Sequence, residues 1–212
     1  MTNLRNYPAA FWLDLAVKAA LIGLLAFGAF SGLQQFEGKA FLWRFLTYPA
    51  AALIFPVVWV ARGRPSGYHY AADVLLTLPF LIDTMGNALD LYDTVGWWDD
   101  ANHLVNWALL SGAIGVVCRP RLGSWTTLAL VVGFGAVTAI LWETAEYLAF
   151  IRNSPELTTA YTDTLGDLIL GLSGTVWPDW QLLWRPAAGF SSEGASSIIA
   201  ATDVSCYQPS VV

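Results

Sequence analysis

The chain has 212 residues, of which 56% are hydrophobic, 14% aromatic and only 12% charged. Soluble domains carry about 25% charged residues, so this composition excludes an ordinary solvated enzyme and a disordered chain. Ten basic and sixteen acidic residues give a net charge of −6 with no Lys/Arg run, which excludes a nucleic-acid partner. Cys118 and Cys206 stand at no ligand spacing, so neither a disulfide scaffold nor a thiolate zinc site is expected. Eleven tryptophans in so apolar a chain point to rings stationed at a membrane interface.

A membrane-spanning helix needs about 20 mostly apolar residues. Six runs meet that description, and the expected fold is all-α: a polytopic membrane helical bundle of about six transmembrane helices. The first run covers about Asp14 to Leu33. Asp14 and Lys18, four residues apart, can pair on one helix face. Basic Arg5 followed by apolar Ala19 to Phe30 also has the outline of a cleavable signal peptide. The charges at 14 and 18 favour an uncleaved helix. The second run covers Phe41 to Ala61 and the third Ala71 to Leu91, with Gly63-Arg64-Pro65-Ser66-Gly67 turning the chain between them. The fourth, fifth and sixth cover Asp99 to Cys118, Trp125 to Ile151 and Asp163 to Trp184. Turns are expected at Arg119–Gly123 and Asn153–Pro155.

Basic residues set the expected orientation. With the N-terminus inside, the cytoplasmic segments hold Arg5, Arg62, Arg64, Arg119, Arg121 and Arg185, against Lys39, Arg44 and Arg152 outside. Both termini are therefore placed in the cytoplasm, in a multi-pass protein of the inner (plasma) membrane. Residues 1–186 form a single transmembrane domain. Residues 187–212, rich in Ser, Ala and Gly, read as a flexible cytoplasmic tail. Trp12, Trp59, Trp125 and Trp184 suit an inner aromatic belt, and Trp43, Trp97 and Trp98 an outer one. Gly166, Gly171 and Gly174 read as sites of close helix packing.

Ten carboxylates lie between Asp83 and Asp167, all at or near the outer ends of their helices or in outer loops. The third helix ends on Asp83, Asn87 and Asp90, spaced as one face. The fourth begins with Asp99, His103 and Asn106, the fifth ends with Glu143 and Glu146, and the sixth begins with Asp163 and Asp167. An ionised Asp inside a spanning helix costs about 2.5–3.5 kcal/mol on insertion scales, so these groups must face one another, water or a cation. From the third helix onward only Arg152 stands on the outer side to neutralise them. Mixed carboxylate and imidazole donors suit zinc, iron or manganese, and bundles assemble such centres from facing helices. Asp99, His103, Glu143, Asp163 and Asp167 are the expected ligands of a divalent metal ion, and Glu146 the expected catalytic base. Asp83, Asn87, Asp90, Asn106 and Thr164 are expected to support them. His103 also admits a plain reading as a hydrogen-bonded packing residue. Asp93, Asp100 and Glu156 read first as solvated residues near helix starts, and Tyr147 and Tyr161 as interfacial aromatics.

Three segments carry a family resemblance: Trp98-Asp99-Asp100-Ala101-Asn102-His103-Leu104, Trp142-Glu143-Thr144-Ala145-Glu146-Tyr147 and Tyr161-Thr162-Asp163-Thr164-Leu165-Gly166-Asp167. In that order they resemble the YjdF-like bacterial inner-membrane proteins. That family's pattern is Asp-x3-His, then Glu-x2-Glu-aromatic, then Asp-Thr-x2-Asp ahead of a Gly-containing helix. The resemblance covers about Asp83 to Thr175 and implies the fold and the acidic site, with no activity attached. The layout is more distantly similar to VanZ-like membrane proteins, where amides stand at the positions of Glu146 and Asp167.

The functional expectation is an integral membrane protein with an outer-side His/Asp/Glu pocket that binds a divalent metal. One form of it is a metal-dependent hydrolase acting on a lipid or envelope precursor. The alternatives are a non-catalytic accessory or assembly subunit of a membrane complex, and a proton- or cation-coupled carrier. Membrane lipid is the expected environment and partner.

Overall fold

The computed structural model describes residues 8–65, 67–149 and 151–184, with side chains described as far as Trp177. The tail expected from 187 lies outside the described residues, as do Arg5 and Arg185. Eight α-helices and three short 3-10 turns make up the described chain, and no strand occurs among the described residues. The helices are α1 (Ala9–Phe30), α2 (Phe41–Thr47), α3 (Pro49–Ala61), α4 (Tyr70–Ala88), α5 (Leu91–Thr94), α6 (Trp98–Leu122), α7 (Ser124–Ala149) and α8 (Ala160–Trp184).

Local chemistry explains where these helices start and stop. Pro8, extended, precedes α1, and Pro49 occupies the first position of α3, where a missing N–H costs no hydrogen bond. Tyr48, between α2 and α3, keeps right-handed helical angles, so the pair acts as one apolar rod from Phe41 to Ala61. α4 ends in Ala88–Leu89, and Asp90 then takes a left-handed conformation (φ 59°) that turns the chain into α5, a geometry Asp tolerates better than most residues. α6 ends later than the sequence suggested. Pro120 is accommodated in its last turn, and Gly123, at φ 73°, breaks the helix instead of the Arg119-Pro120 step.

Among the described residues, four helical segments are long and apolar enough to cross a membrane: Ala9–Phe30, Phe41–Ala61, Trp98–Leu122 and Ser124–Asn153. α4 and α8 are 19 and 25 residues long. α4 is polar for a helix this short, because it carries Asp73, Thr77, Asp83, Thr84 and Asn87, all of them buried. That burial reflects its place: α1, α3 and α6 all pack against it. α6 is the hub, contacting α4, α7 and α8, with its most extensive packing against α8.

Polarity runs opposite to that of a soluble protein. Asp73, Asp83, His103, Glu143 and Asp167 are buried, whereas Leu53, Ile54, Val57, Val137, Ile140 and Leu141 are exposed. An apolar exterior of this extent around a polar interior is stable in lipid and not in water. Trp12, Trp43, Trp97 and Trp125 lie exposed near helix ends, where indole rings suit the headgroup region. Inside, Thr77, Thr84, Thr127, Thr138 and Thr175 return their hydroxyls to the carbonyl one turn back, so they need no other partner.

Two glycines set the α6–α8 distance. A Cβ on Gly174 would stand 2.1 Å from the Leu104 carbonyl oxygen, and one on Gly171 would stand 2.6 Å from the Trp107 ring. Gly166 behaves differently from the sequence expectation: nothing lies within 4 Å of its Cβ position. It sits more than a turn from the crossing and faces open space.

Candidate functional site

The close crossing of α6 and α8 brings Asp167 beside His103, and α7 adds Glu143 from the third side. Asp99 and His103 occupy successive turns at the start of α6, Glu143 and Glu146 the last turns of α7, and Asp163 and Asp167 the first turns of α8. His103, Glu143 and Asp167 are buried; Asp99 and Glu146 are half-buried.

His103 is the centre. Its Nε2 lies 3.7 Å from Asp99 Oδ1 and 3.7 Å from Asp167 Oδ1, while its Nδ1 lies 3.6 Å from Glu143 Oε1. These separations exceed a hydrogen bond, which falls at about 2.7–3.2 Å. They match the spacing of two donors on one ion: ligand atoms about 2.1 Å from a tetrahedral zinc are about 3.4 Å apart. Two groups can each bring three ligand atoms within 4.8 Å of one another: Asp99, His103 and Asp167, and His103, Glu143 and Glu146. The two nitrogens of one imidazole point in opposite directions, so a single ion cannot take both. Three of the expected ligands therefore divide across the ring of the fourth, Asp99 and Asp167 at Nε2 and Glu143 at Nδ1. Asp163 is exposed and stands outside both groups, at the cavity wall. Thr164 lies against Glu143.

The cluster opens into a cavity of about 630 Å³, lined on one side by Asp99, His103 and Glu146 and on the other by Arg44, Tyr48 and Asp83. Asn106 also faces it. Its amide nitrogen donates to Asn102 Oδ1 at 3.2 Å, and its own buried Oδ1 has no partner among the described residues.

Asp83 and Asn87 of α4 line the same cavity, but Asp83 forms no ion pair with His103. Asp83 is fully engaged elsewhere: Arg44 pairs with its Oδ2, Tyr48 donates to the same oxygen at 2.8 Å, and Tyr92 donates to Oδ1 at 2.8 Å. Asn87 adds a longer contact to Oδ1 at 3.3 Å. A carboxylate with this many donors has little left for a metal. Asp90 and Asp93 are held by Lys39, at 3.1 Å in the case of Asp90. Burial and the Asp83 carboxylate push the Tyr92 phenol above its ordinary range, which keeps it a hydrogen-bond donor.

The cation count from the sequence is thereby corrected. Arg152 is exposed on a 3-10 turn and makes no ion pair among the described residues. Arg44 and Lys39, carried by the chain before α4, neutralise the acids of α4 and α5 instead. Sequence reasoning missed Arg44, Tyr48 and Tyr92 as site residues. The i,i+4 spacing of Arg44 and Tyr48 placed them on one face, but nothing in the sequence named Asp83 as their partner. Around His103 the deficit persists: among the described residues, Asp99, Glu143 and Asp167 have ion-pair contacts only with that imidazole. Asp100 and Glu156 are exposed, and Glu156 accepts a local bond from Ser154 in a turn, as their plain reading has it.

The family described as Predicted membrane protein (DUF2238) matches residues 16–184, and the YjdF-like proteins are members of it. No curated protein and no solved structure matches the chain.

Proposed function

The chain belongs to the DUF2238 family of predicted membrane proteins, and on that premise we propose that it is a six-span inner-membrane protein holding a divalent metal in its outer-side acidic cavity. Both termini are on the cytoplasmic face, the orientation the basic residues favour. The reading rests on one observation: three carboxylates converge on a buried imidazole at 3.6–3.7 Å with no other cation in contact among the described residues.

The preferred ligands are Asp99, Asp167 and His103 through Nε2. Glu143 then accepts from Nδ1–H and fixes the tautomer and ring orientation, as carboxylates behind metal-bound histidines do. This assignment leaves Glu143 as a positioning residue and frees Glu146, on the cavity wall, for proton transfer. When bound, the metal supplies a Lewis acid and a water of lowered pKa. Asp163 and Asn106 are placed to orient a polar group entering the cavity, whose volume suits a headgroup-sized ligand. The catalytic form of the proposal is hydrolysis of a lipid or envelope precursor; the non-catalytic form is an accessory subunit with a structural ion.

Metal analysis of the purified full-length protein tests the site. Wild type is expected to hold about one zinc or manganese ion per chain, and His103→Ala and Asp167→Asn little or none. Absence of stoichiometric metal from wild type after loading and desalting removes the proposal. Equal metal in wild type and Glu146→Gln, with turnover of a lipid-linked phosphoester lost only in the variant, separates the catalytic form from the structural one.

A further inference from the structure

A second cluster of charge lies at the other end of α4. Asp73 and Asp83 are ten residues apart, about 15 Å along the helix, so this cluster is distinct from the acidic cavity. Lys18 of α1 donates to Asp14 Oδ2 at 3.0 Å and also pairs with Asp73 Oδ2, which takes a further hydrogen bond from the Tyr68 hydroxyl. Asp73 is wholly buried and Asp14 is 7% exposed. Both second oxygens, Asp14 Oδ1 and Asp73 Oδ1, are buried and have no partner among the described residues.

Charge arithmetic leaves this cluster incomplete. Two carboxylates against one ammonium give a net charge of −1 in a buried helix interface, with two anionic oxygens unmet. Among the described residues, Lys18 is the cation that pairs with either carboxylate. Tyr68, Tyr70 and, one turn before Asp73, the exposed His69 are the other titratable residues near it among the described residues. Arg64 of the same loop is stacked on Trp59, 5.9 Å from the ring centre. The cheapest completion in a low dielectric is a single proton, which cancels the charge and converts an orphan acceptor into a donor. The two acids are not equivalent. Asp73 has two donors, Lys18 and Tyr68, whereas Asp14 has Lys18 alone, so the proton belongs on Asp14.

We propose that Asp14, Lys18 and Asp73 form a buried proton-binding site joining α1 to α4, with Asp14 the carboxyl that carries the proton. Removal of either acid leaves a neutral ion pair with Lys18 that needs no proton. The site therefore exists only when both aspartates are present, a property that a simple salt bridge lacks.

The test uses full-length protein in liposomes and dicyclohexylcarbodiimide, an apolar reagent that adds to protonated carboxyl groups, with the modified residue located by peptide mass spectrometry. Asp14 is expected to label near neutral pH. Labelling falls about tenfold per pH unit once the site deprotonates, and is lost in Asp73→Asn. Labelling at Asp73 instead, at neither residue, or at Asp14 undiminished in Asp73→Asn would each overturn the assignment. Suppression by sodium chloride but not potassium chloride would overturn it in favour of a bound sodium ion. Infrared spectra of the unlabelled protein provide a second readout. The protonated-carboxyl carbonyl band should appear in wild type minus Asp14→Asn and again in wild type minus Asp73→Asn, and its absence from both differences also refutes the proposal.

Discussion

Gly174→Ala and Gly166→Ala form a matched pair of perturbations, eight residues apart on α8. At Gly174 the new Cβ meets the Leu104 carbonyl oxygen at 2.1 Å, the Leu104 carbonyl carbon at 3.0 Å and the Ala108 nitrogen at 3.2 Å. These are backbone atoms of α6, so no side-chain rotation relieves the clash. An ordinary carbon–oxygen contact is about 3.3 Å, and reaching it requires the two helices to part locally by about 1 Å. A gap of that size forfeits about a quarter to a half of each dispersion contact it opens, and overpacking of this kind costs about 1–3 kcal/mol. At Gly166 the Cβ meets nothing within 4 Å, and replacing a helical Gly with Ala gains about 0.5–1 kcal/mol.

The two substitutions should therefore shift the melting temperature in opposite directions in detergent, read by thermal unfolding with size-exclusion chromatography. Because Leu104 directly follows His103, parting α6 from α8 also withdraws Asp167 from Nε2, now 3.7 Å away. Gly174→Ala should then weaken metal binding as well as lower stability. Equal melting of Gly174→Ala and wild type, or loss of stability in both variants, would refute the packing reasoning.

Further outcomes follow from the ion pairs. Arg44→Met strands Asp83 without its cation in a buried setting, and the melting free energy should fall by about 3–5 kcal/mol; Arg44→Met/Asp83→Asn should recover most of it, since the amide oxygen still accepts from one of Tyr48 and Tyr92 and the amide NH2 can donate to the other phenol oxygen. Failure of that recovery would show that Arg44 acts through packing alone. Partial burial works against the charged Lys39, yet hydrogen bonds from it to Asp93 and Asp90 hold its pKa above the ordinary 10.5. The Lys39 hydrogen bond in turn holds the Asp93 carboxyl below its ordinary 3.8. The lowered acid contributes stability above pH 3.8 that is lost as pH falls through its folded value. The raised amine contributes stability below pH 10.5 that is lost above it. Fast hydrogen exchange over residues 36–40 at both extremes, but not at neutral pH, is expected; Lys39→Met should exchange fast throughout. Saturating zinc at about 100 times its dissociation constant should stabilise wild type by about 2.7 kcal/mol and His103→Ala not at all. Glu143→Gln should lower zinc affinity about 10–100-fold without abolishing it, whereas complete loss would make Glu143 a ligand.

Much of the architecture follows from chain composition. Apolar runs of bilayer length, broken by Gly and Pro, locate the helices to within a few residues, because a backbone in lipid must satisfy its own hydrogen bonds. The spacing of Asp99 and His103, of Glu143 and Glu146, and of Asp163 and Asp167 likewise fixes one face of each helix, since that face is set by 3.6 residues per turn. Periodicity does not say how a helix is rotated or which neighbour it meets, and those choices decide every charge pairing in the interior. Gly166 and Gly174 look alike in sequence, yet only Gly174 lies at the crossing with α6. Asp83 reads as one more acid of the outer cluster until the fold places Arg44 against it, 39 residues away in the chain. Asp14 and Lys18 read as a local pair until α4 inserts Asp73 beside them, 55 residues on. Tertiary packing decides these pairings because Coulomb energy in a low dielectric depends on side-chain separations of a few ångströms, and the order of residues along the chain does not specify separations between helices.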